Sequence, residues 1–121
     1  MFEVMFVGVG DAFSTEHWGT SFLCRHGEYV LAVDCPDSYR RALKAAQFEH
    51  DGEALDAHHI DALFLTHLHG DHVNGLEMLL AFRKFVAGGK LPLWTTPEVA
   101  KVLWERRLSV SLGVLFDGQN Y

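Results

Sequence analysis

The chain has 121 residues, enough for one domain with a sizeable buried core. Its composition, 49% hydrophobic and 21% charged, excludes an intrinsically disordered chain and is typical of a folded globular protein. The formal net charge of −6 argues against general binding to nucleic-acid phosphates, which requires a basic face. Nucleic acid is therefore a disfavoured partner, although Arg106 and Arg107 leave a local basic patch open.

The cysteines and the N-terminus indicate a cellular compartment. Cys24 and Cys35 do not form the pattern of a small disulfide-rich secreted domain, so both are expected to be free thiols. The opening MFEVMFVGVG has no positive region and is interrupted by Glu3, which favours a first strand over a signal peptide. No apolar run approaches the length of a membrane span. We therefore expect a cytoplasmic protein with no membrane partner.

The first half of the chain predicts paired strands followed by a helix. Glu3–Gly8 alternates and is rich in Val and Phe, which predicts a strand. Thr20–Arg25 and Tyr29–Asp34 flank a short glycine-containing connection and predict a β-hairpin. Pro36–Phe48 predicts a helix, because Pro and Asp begin it and apolar residues follow at helical spacing. The polar segment Glu49–Ala57 is expected to be a surface loop.

The second half alternates strands with helices. Ile60–Thr66 and Leu91–Thr95 are predicted strands, and Val73–Ala87 is a predicted helix that stops at a glycine pair. Pro97–Leu108 is a second predicted helix, with proline in its first turn. The pattern VSLGVLF in the tail Ser109–Tyr121 is compatible with one more strand. Locally paired strands followed by alternation with helices predict a mixed α/β fold.

A cluster of ligand-type side chains follows the predicted strand that ends at Thr66. It consists of His67, His69, Asp71 and His72. A continuous helix would turn His69 away from the others, whereas a strand end projects His67 and His69 to the same side. Gly70 then lets the chain turn and present Asp71 and His72 from a tight loop. Imidazole and carboxylate ligands suit zinc, manganese and iron, with zinc the leading choice, so the cluster predicts a metal site.

The remaining histidines have no comparable support. His58 and His59 lie in a polar segment before the strand and are interpreted as ordinary surface residues. His17, His26 and His50 are interpreted in the same way.

The stretch THLHGDH, followed by VNGLEMLL, resembles the H-x-H-x-D-H signature of the metallo-β-lactamase superfamily. It is most similar to the ribonuclease Z and phosphodiesterase-like branch. The stretches GVGDAFS, TSFLC and VLAVDCPDS extend the resemblance over most of the chain. The resemblance implies an αββα sandwich of two similar halves, of which this α/β chain would form one, a mixed sheet with helices on one face.

The resemblance also implies roles for individual residues. His67 and His69 would bind a first metal, and Asp71 and His72 a second, giving two zinc ions per complete site, with manganese or iron as alternatives. Asp71 would additionally orient or deprotonate the nucleophile, which makes it the candidate catalytic residue. Asp34 corresponds to an aspartate that supports the metal loop through hydrogen bonds. A turn or helix-capping role for Asp34 is the alternative.

The activity implied by the resemblance is that of a metal-dependent hydrolase. Metal-bound hydroxide would attack an ester-type bond in a small-molecule substrate, with a phosphodiester most favoured. The acidic charge and the lack of a long basic insertion move the preference away from tRNA processing. The alternative function is a catalytically silent metal-binding or interaction module made of half a hydrolase fold.

The ligand set that the family requires continues beyond this motif. It includes two further histidines and a bridging aspartate, but no histidine follows His72 and the only later aspartate is Asp117. Residues 1–121 are therefore expected to be the N-terminal portion of one metallo-β-lactamase-like domain without its C-terminal half, weakly active or inactive alone. Because both alternating sets of the strands are apolar, we expect one sheet face to require a partner, either another copy or a C-terminal half-domain.

Overall fold

Residues 1–113, which the computed structural model describes, fold around a mixed sheet of five strands. The strands in chain order are β1 (Phe2–Gly8), β2 (Ser21–His26), β3 (Tyr29–Val33), β4 (Glu49–His50), β5 (Glu53–Ala54), β6 (Ala62–Phe64) and β7 (Leu93–Trp94). The sheet order is β1-β2-β3-β6-β7, with β1, β2 and β3 antiparallel and β6 and β7 parallel to β3. β4 and β5 form a separate hairpin.

Helices follow the strands and supply one side of the core. They are α1 (Tyr39–Ala46), α2 (Gly70–Val73), α3 (Leu76–Phe82) and α4 (Pro97–Leu103), with a 3₁₀ turn at Ala57–His59 and π-helical segments at Arg83–Ala87 and Trp104–Gly113. Side chains of α1, α3 and α4 pack with the sheet in one buried cluster, in which Leu43, Leu79 and Leu103 meet Leu23 and Leu63. The predicted mixed α/β fold is confirmed. No helix within the described range is long and apolar enough to cross a membrane.

The two sheet faces differ sharply in burial. The row Leu23, Ala32 and Leu63 is fully buried beneath the helices. On the opposite face, Phe6 and Trp94 lie at the two ends of the next row and are 63% and 62% exposed. Within residues 1–113 the helices therefore cover one face only, and the other presents apolar side chains outward.

Turn chemistry explains one difference between the predicted and the observed elements. The segment predicted as a surface loop, Glu49–Ala57, contains the β4–β5 hairpin, whose turn is Asp51–Gly52. Asp51 and Gly52 have φ angles of 51° and 79°, as the two central residues of a type I′ turn require. The Asp-Gly pair is the usual signal for this turn, so the hairpin was available from the sequence.

The ends of the helices also differ from the prediction. α1 begins at Tyr39 rather than Pro36 and ends at Ala46, because Ser38 and Gln47 both have φ angles of 55° and leave the helical conformation. Of the predicted tail strand VSLGVLF, residues 110–113 belong to a π-helical segment, so the strand prediction is wrong there. The remainder of that prediction lies outside the described residues.

Candidate metal centre

The predicted site lies where β3 and β6 end side by side. The parallel pairing continues past the strands through a hydrogen bond of 2.9 Å from the Asp34 N–H to the Phe64 carbonyl. The Cys35 N–H then donates to the His72 carbonyl at 2.8 Å, and the Gly75 N–H donates to the Cys35 carbonyl at 2.9 Å. These bonds hold α2 against the end of β3. A parallel sheet thus brings Asp34 next to a motif more than thirty positions later in the chain.

Asp34 is the buried anchor of the site. It is 4% exposed and has a φ angle of 62°, a conformation that aspartate tolerates better than most residues. Its carboxylate accepts the Thr66 N–H at 2.9 Å and lies 2.8 Å from the Thr66 hydroxyl oxygen. Its other contact is with His72 Nδ1, at 2.7 Å. The supporting role that the resemblance implied for Asp34 stays a prediction, and these hydrogen bonds are the contacts through which it would act.

The motif side chains converge around these bonds. His67 Nε2 lies 3.1 Å from His69 Nδ1, and His72 Nε2 lies 3.6 Å from Asp71 Oδ2. The His67 and His72 rings are adjacent, with centroids 4.2 Å apart. Asp71 and His72 lie in the first turn of α2, not in the predicted loop, because the helix begins at Gly70. Ligation by these residues stays a prediction, while their convergence is a feature of the structure.

The donor atoms fit a metal ion in chemistry and in spacing. Ligands about 2.0–2.1 Å from a tetrahedral zinc ion lie roughly 3.3–3.4 Å from one another. The separations of 3.1 Å for His67–His69 and 3.6 Å for Asp71–His72 bracket that value. Asp34, His67 and His72 also offer ligand-type atoms that all lie within 4.8 Å of one another. The residues can hold metal ions as two pairs.

Cys35 follows Asp34 directly in the chain and is fully buried. Burial, followed by the charge of Asp34, raises the pKa of the Cys35 thiol far above its usual range. The same burial raises the pKa of the neighbouring Tyr39. In the metal-free chain the Cys35 thiol is therefore protonated. Cys24 and Cys35 are both free thiols.

Two features of the site were not predicted from the sequence. Thr66 hydrogen-bonds to Asp34 and lies 2.8 Å from His67 Nδ1 through its hydroxyl oxygen. A cleft of about 210 Å³ opens beside Asp71 and is lined by the loop that contains His17 and Trp18. The only local signal for Thr66 is a hydroxyl residue directly before the motif, and the cleft depends on long-range packing.

Three other histidines form a second group at the β4–β5 hairpin. We call His50, His58 and His59 the hairpin cluster, and His67, His69 and His72 the motif cluster. Ring centroids of His50 and His58 lie 4.9 and 3.8 Å from that of His59. His59 Nδ1 accepts the Asp56 N–H at 3.1 Å in a capping box of the 3₁₀ turn. The interpretation as ordinary surface is therefore wrong for His59, which is partly buried and structural.

Comparison with known sequences identifies close relatives. The sequence model of the family described as anti-Pycsar protein Apyc1 matches residues 2–120. Proteins with that name from Paenibacillus sp. (strain J14) and Bacillus phage 010DV004 are 34% and 35% identical over 110 and 112 residues. Each alignment covers 91% of this chain but 42% and 41% of the relative. The chain thus spans about two-fifths of the length of these relatives.

Solved structures confirm the metallo-β-lactamase fold. Human tRNase Z, short form, superposes with a TM-score of 0.69 at 27% identity, covering 92% of this chain and 40% of that one. A diphosphatase of the PhnP family gives a TM-score of 0.62 at 19% identity, covering 86% and 45%. The metallo-β-lactamase fold protein YhfI from Bacillus subtilis gives 0.58 at 24% identity, covering 76% and 37%.

These relatives correct the predicted function. The matching family and the relatives at 34–35% identity are named for acting against Pycsar. The prediction of a hydrolase for ester-type bonds, with a silent half-fold module as its alternative, is therefore wrong. The motif predicted the fold correctly, but a motif shared by a large superfamily does not carry the biological role.

Proposed function

Since the chain belongs to the family of the anti-Pycsar protein Apyc1, we propose that it takes part in an anti-Pycsar, phage anti-defence function. We further propose that this function depends on a metal centre held by His67, His69, Asp71 and His72. The observation that carries the metal centre is the convergence of these side chains around the buried Asp34.

Zinc is the proposed metal, with two ions in a complete site. The donors are imidazole nitrogens and one carboxylate, which suit zinc best and also accept manganese or iron. His67 with His69 and Asp71 with His72 supply two donors each, so further ligands are required to complete both ions. Bound ions would supply Lewis-acid centres for oxygen atoms of a ligand, which we place in the cleft beside Asp71.

The open sheet face supports a second proposal, that the chain packs against another sheet. Phe2, Phe6 and Trp94 are each more than 60% exposed on this face, and Val4 and Phe64 are exposed on it as well. A continuous apolar surface of this kind usually marks an interface. We propose that a C-terminal half-domain or a second copy covers it and brings the missing ligands to the edge where the motif lies.

Metal binding is tested on the purified 121-residue chain. We expect elemental analysis after expression in zinc-supplemented medium to find zinc, and calorimetry of the stripped chain to find saturable zinc binding. A well-folded chain that binds neither zinc, manganese nor iron would contradict the metal centre.

The anti-Pycsar function requires a separate, cellular test. This chain would replace the matching segment of the full-length Bacillus phage 010DV004 relative, and phage plating would be measured in cells with and without Pycsar. We expect the chimera to restore phage growth only in Pycsar cells, and the double variant Asp71→Ala, His72→Ala to lose this effect. A chimera that folds and binds metal but leaves Pycsar protection intact would contradict the proposal.

The proposed sheet interface is tested by the state of association. Chromatography with light scattering should show self-association of the isolated chain, or binding to the C-terminal part of a relative. Phe6→Lys should weaken either association because it places a charge in the centre of the open face. A cooperatively unfolding monomer that binds no such partner would show that the face needs none.

A further inference from the structure

We propose that Thr66 is a positioning residue that transmits the orienting effect of Asp34 to His67, so that one buried carboxylate sets the ring tautomer of two metal-binding histidines. His72 is set by direct contact, and His67 is set through the Thr66 hydroxyl. This inference rests on the proposed metal centre, which it deepens.

The distances define a branched hydrogen-bond network. The Thr66 hydroxyl oxygen lies 3.0 and 2.8 Å from the two Asp34 carboxylate oxygens and 2.8 Å from His67 Nδ1. His72 Nδ1 lies 2.7 Å from Asp34 Oδ2. In addition, the Thr66 N–H donates to Asp34 Oδ1 at 2.9 Å. The backbone bond holds the threonine in place independently of its side chain.

The chemistry of these groups fixes the direction of each bond. An ionised carboxylate only accepts, whereas a hydroxyl has a single proton to donate. Both Asp34 oxygens lie within 3.0 Å of the Thr66 hydroxyl oxygen. If the hydroxyl proton pointed away from Asp34, lone pairs of the hydroxyl oxygen would face those of the carboxylate and repel them. The Thr66 proton therefore goes to Asp34, and the hydroxyl oxygen accepts from His67 Nδ1–H.

The consequence is that the Nε2 lone pair of both histidines is available. His67 Nε2 faces His69 Nδ1 at 3.1 Å, and His72 Nε2 faces Asp71 at 3.6 Å. Both are the atoms that the proposed metal ions would meet. Metal-binding histidines usually donate their other N–H to a fixed acceptor, and loss of that acceptor typically lowers metal affinity about 10–100-fold.

The test replaces the threonine hydroxyl while keeping its shape. Thr66→Val removes the acceptor for His67 but retains the backbone bond to Asp34, and Thr66→Ser restores the hydroxyl. Histidine ring ¹⁵N chemical shifts of the metal-free chain report each tautomer, and calorimetry reports zinc affinity. We expect Thr66→Val to mix the His67 tautomers and weaken zinc binding roughly 10–100-fold, and we expect Thr66→Ser to behave as wild type.

His72 is the internal control, because its contact with Asp34 does not pass through the hydroxyl. Its Nδ1–H tautomer should persist in Thr66→Val, which also shows that the site remains folded. An unchanged His67 tautomer in Thr66→Val, or equal defects in the Ser and Val variants, would overturn the inference. A wild-type chain without metal affinity would refute the metal centre instead, since the tautomers are measured without metal.

Discussion

The motif cluster and the hairpin cluster each bring three histidine rings together, but they use the ring nitrogens in opposite ways. In the motif cluster, His72 Nδ1 lies 2.7 Å from the buried Asp34 carboxylate, and a neutral ring that donates this bond keeps its lone pair on Nε2. In the hairpin cluster, His59 Nδ1 accepts the Asp56 backbone N–H, so the proton of the neutral ring is on Nε2. In the proposed metal centre the first arrangement leaves a ring nitrogen for the metal, whereas the second makes the ring part of a helix cap.

Proximity alone does not separate these two regions. Glu53, His58 and His59 offer ligand-type atoms within 4.8 Å of one another, as do Asp34, His67 and His72. The difference lies in the group that contacts the second nitrogen of the ring. A ring that donates one N–H to a buried carboxylate has its other nitrogen available for a metal. A neutral ring that accepts a backbone N–H carries its proton on the other nitrogen, so the His59 ring can bind a metal only if the cap is broken.

The largest expected effect comes from removing one histidine of the motif cluster. His67→Ala should lower zinc affinity by more than the roughly 100-fold that loss of a supporting contact can cost, because a ligand itself is lost. His58→Ala, the matched variant in the hairpin cluster, should leave zinc affinity unchanged. Calorimetry on both variants measures the difference, and equal losses would erase the distinction between the clusters.

The aspartates behind the two clusters provide the next comparison. Asp34→Asn should lower zinc affinity about 10–100-fold, since the amide group presents donors where Thr66 and His72 need an acceptor. Asparagine tolerates the positive φ angle at this position, so the backbone should be preserved. Asp56→Asn, which changes the residue that contacts His59 of the hairpin cluster, should bind zinc as wild type does. A zinc defect in Asp56→Asn of similar size would contradict the comparison.

Substitutions of Asp56, which contacts the hairpin cluster, should instead change the free energy of unfolding. Asp56 caps the 3₁₀ turn by accepting the Ala57 N–H at 2.6 Å and also binds Arg40, which holds the pKa of Asp56 below its usual value. We expect Asp56→Ala to reduce the free energy of unfolding by about 0.5–2 kcal/mol in denaturant titrations. Asp56→Asn retains a capping oxygen and should lose less. Equal losses in the two variants would show that the charge matters and the cap does not.

The smallest expected effect is a pH dependence that belongs to His59. Burial, followed by the charges of His58 and His50, lowers the pKa of His59 from its usual 6.5. As the pH is lowered below 6.5, His59 of the unfolded chain gains a proton while His59 of the folded chain stays neutral. The free energy of unfolding therefore decreases as the pH is lowered, until the pH reaches the lower pKa of folded His59. His59→Gln keeps a capping acceptor without a titrating ring. Its stability should fall less than that of wild type across this window, and parallel curves would contradict the assignment.

The sequence predicted the parts of the site that depend on local geometry. His67 and His69 share a side because they follow a strand, and Gly70 allows the turn into the next element. The supporting role of Asp34 is implied by family resemblance alone, and its contacts with the motif depend on the parallel pairing of β3 with β6. The Thr66 network could not be predicted, because the direction of its bonds depends on a carboxylate 32 positions away.

The hairpin cluster shows the reverse case. Asp51–Gly52 is a turn signal, but the two-residue strands on either side of it have no apolar alternation. The sequence therefore predicts a loop for this segment. The capping box of Asp56 and His59 is unusual in using a histidine where glutamate or glutamine is common. The sequence therefore did not indicate that the His59 ring accepts a hydrogen bond from the backbone.

The most direct test of the metal centre is a zinc titration of the ¹⁵N-labelled 121-residue chain, with histidine ring nitrogens detected by NMR. We expect the Nε2 resonances of His67 and His72 to move and saturate together, while those of His50, His58 and His59 stay in place. A response of the hairpin cluster at lower zinc than the motif cluster, or no response from His67 and His72, would contradict the account.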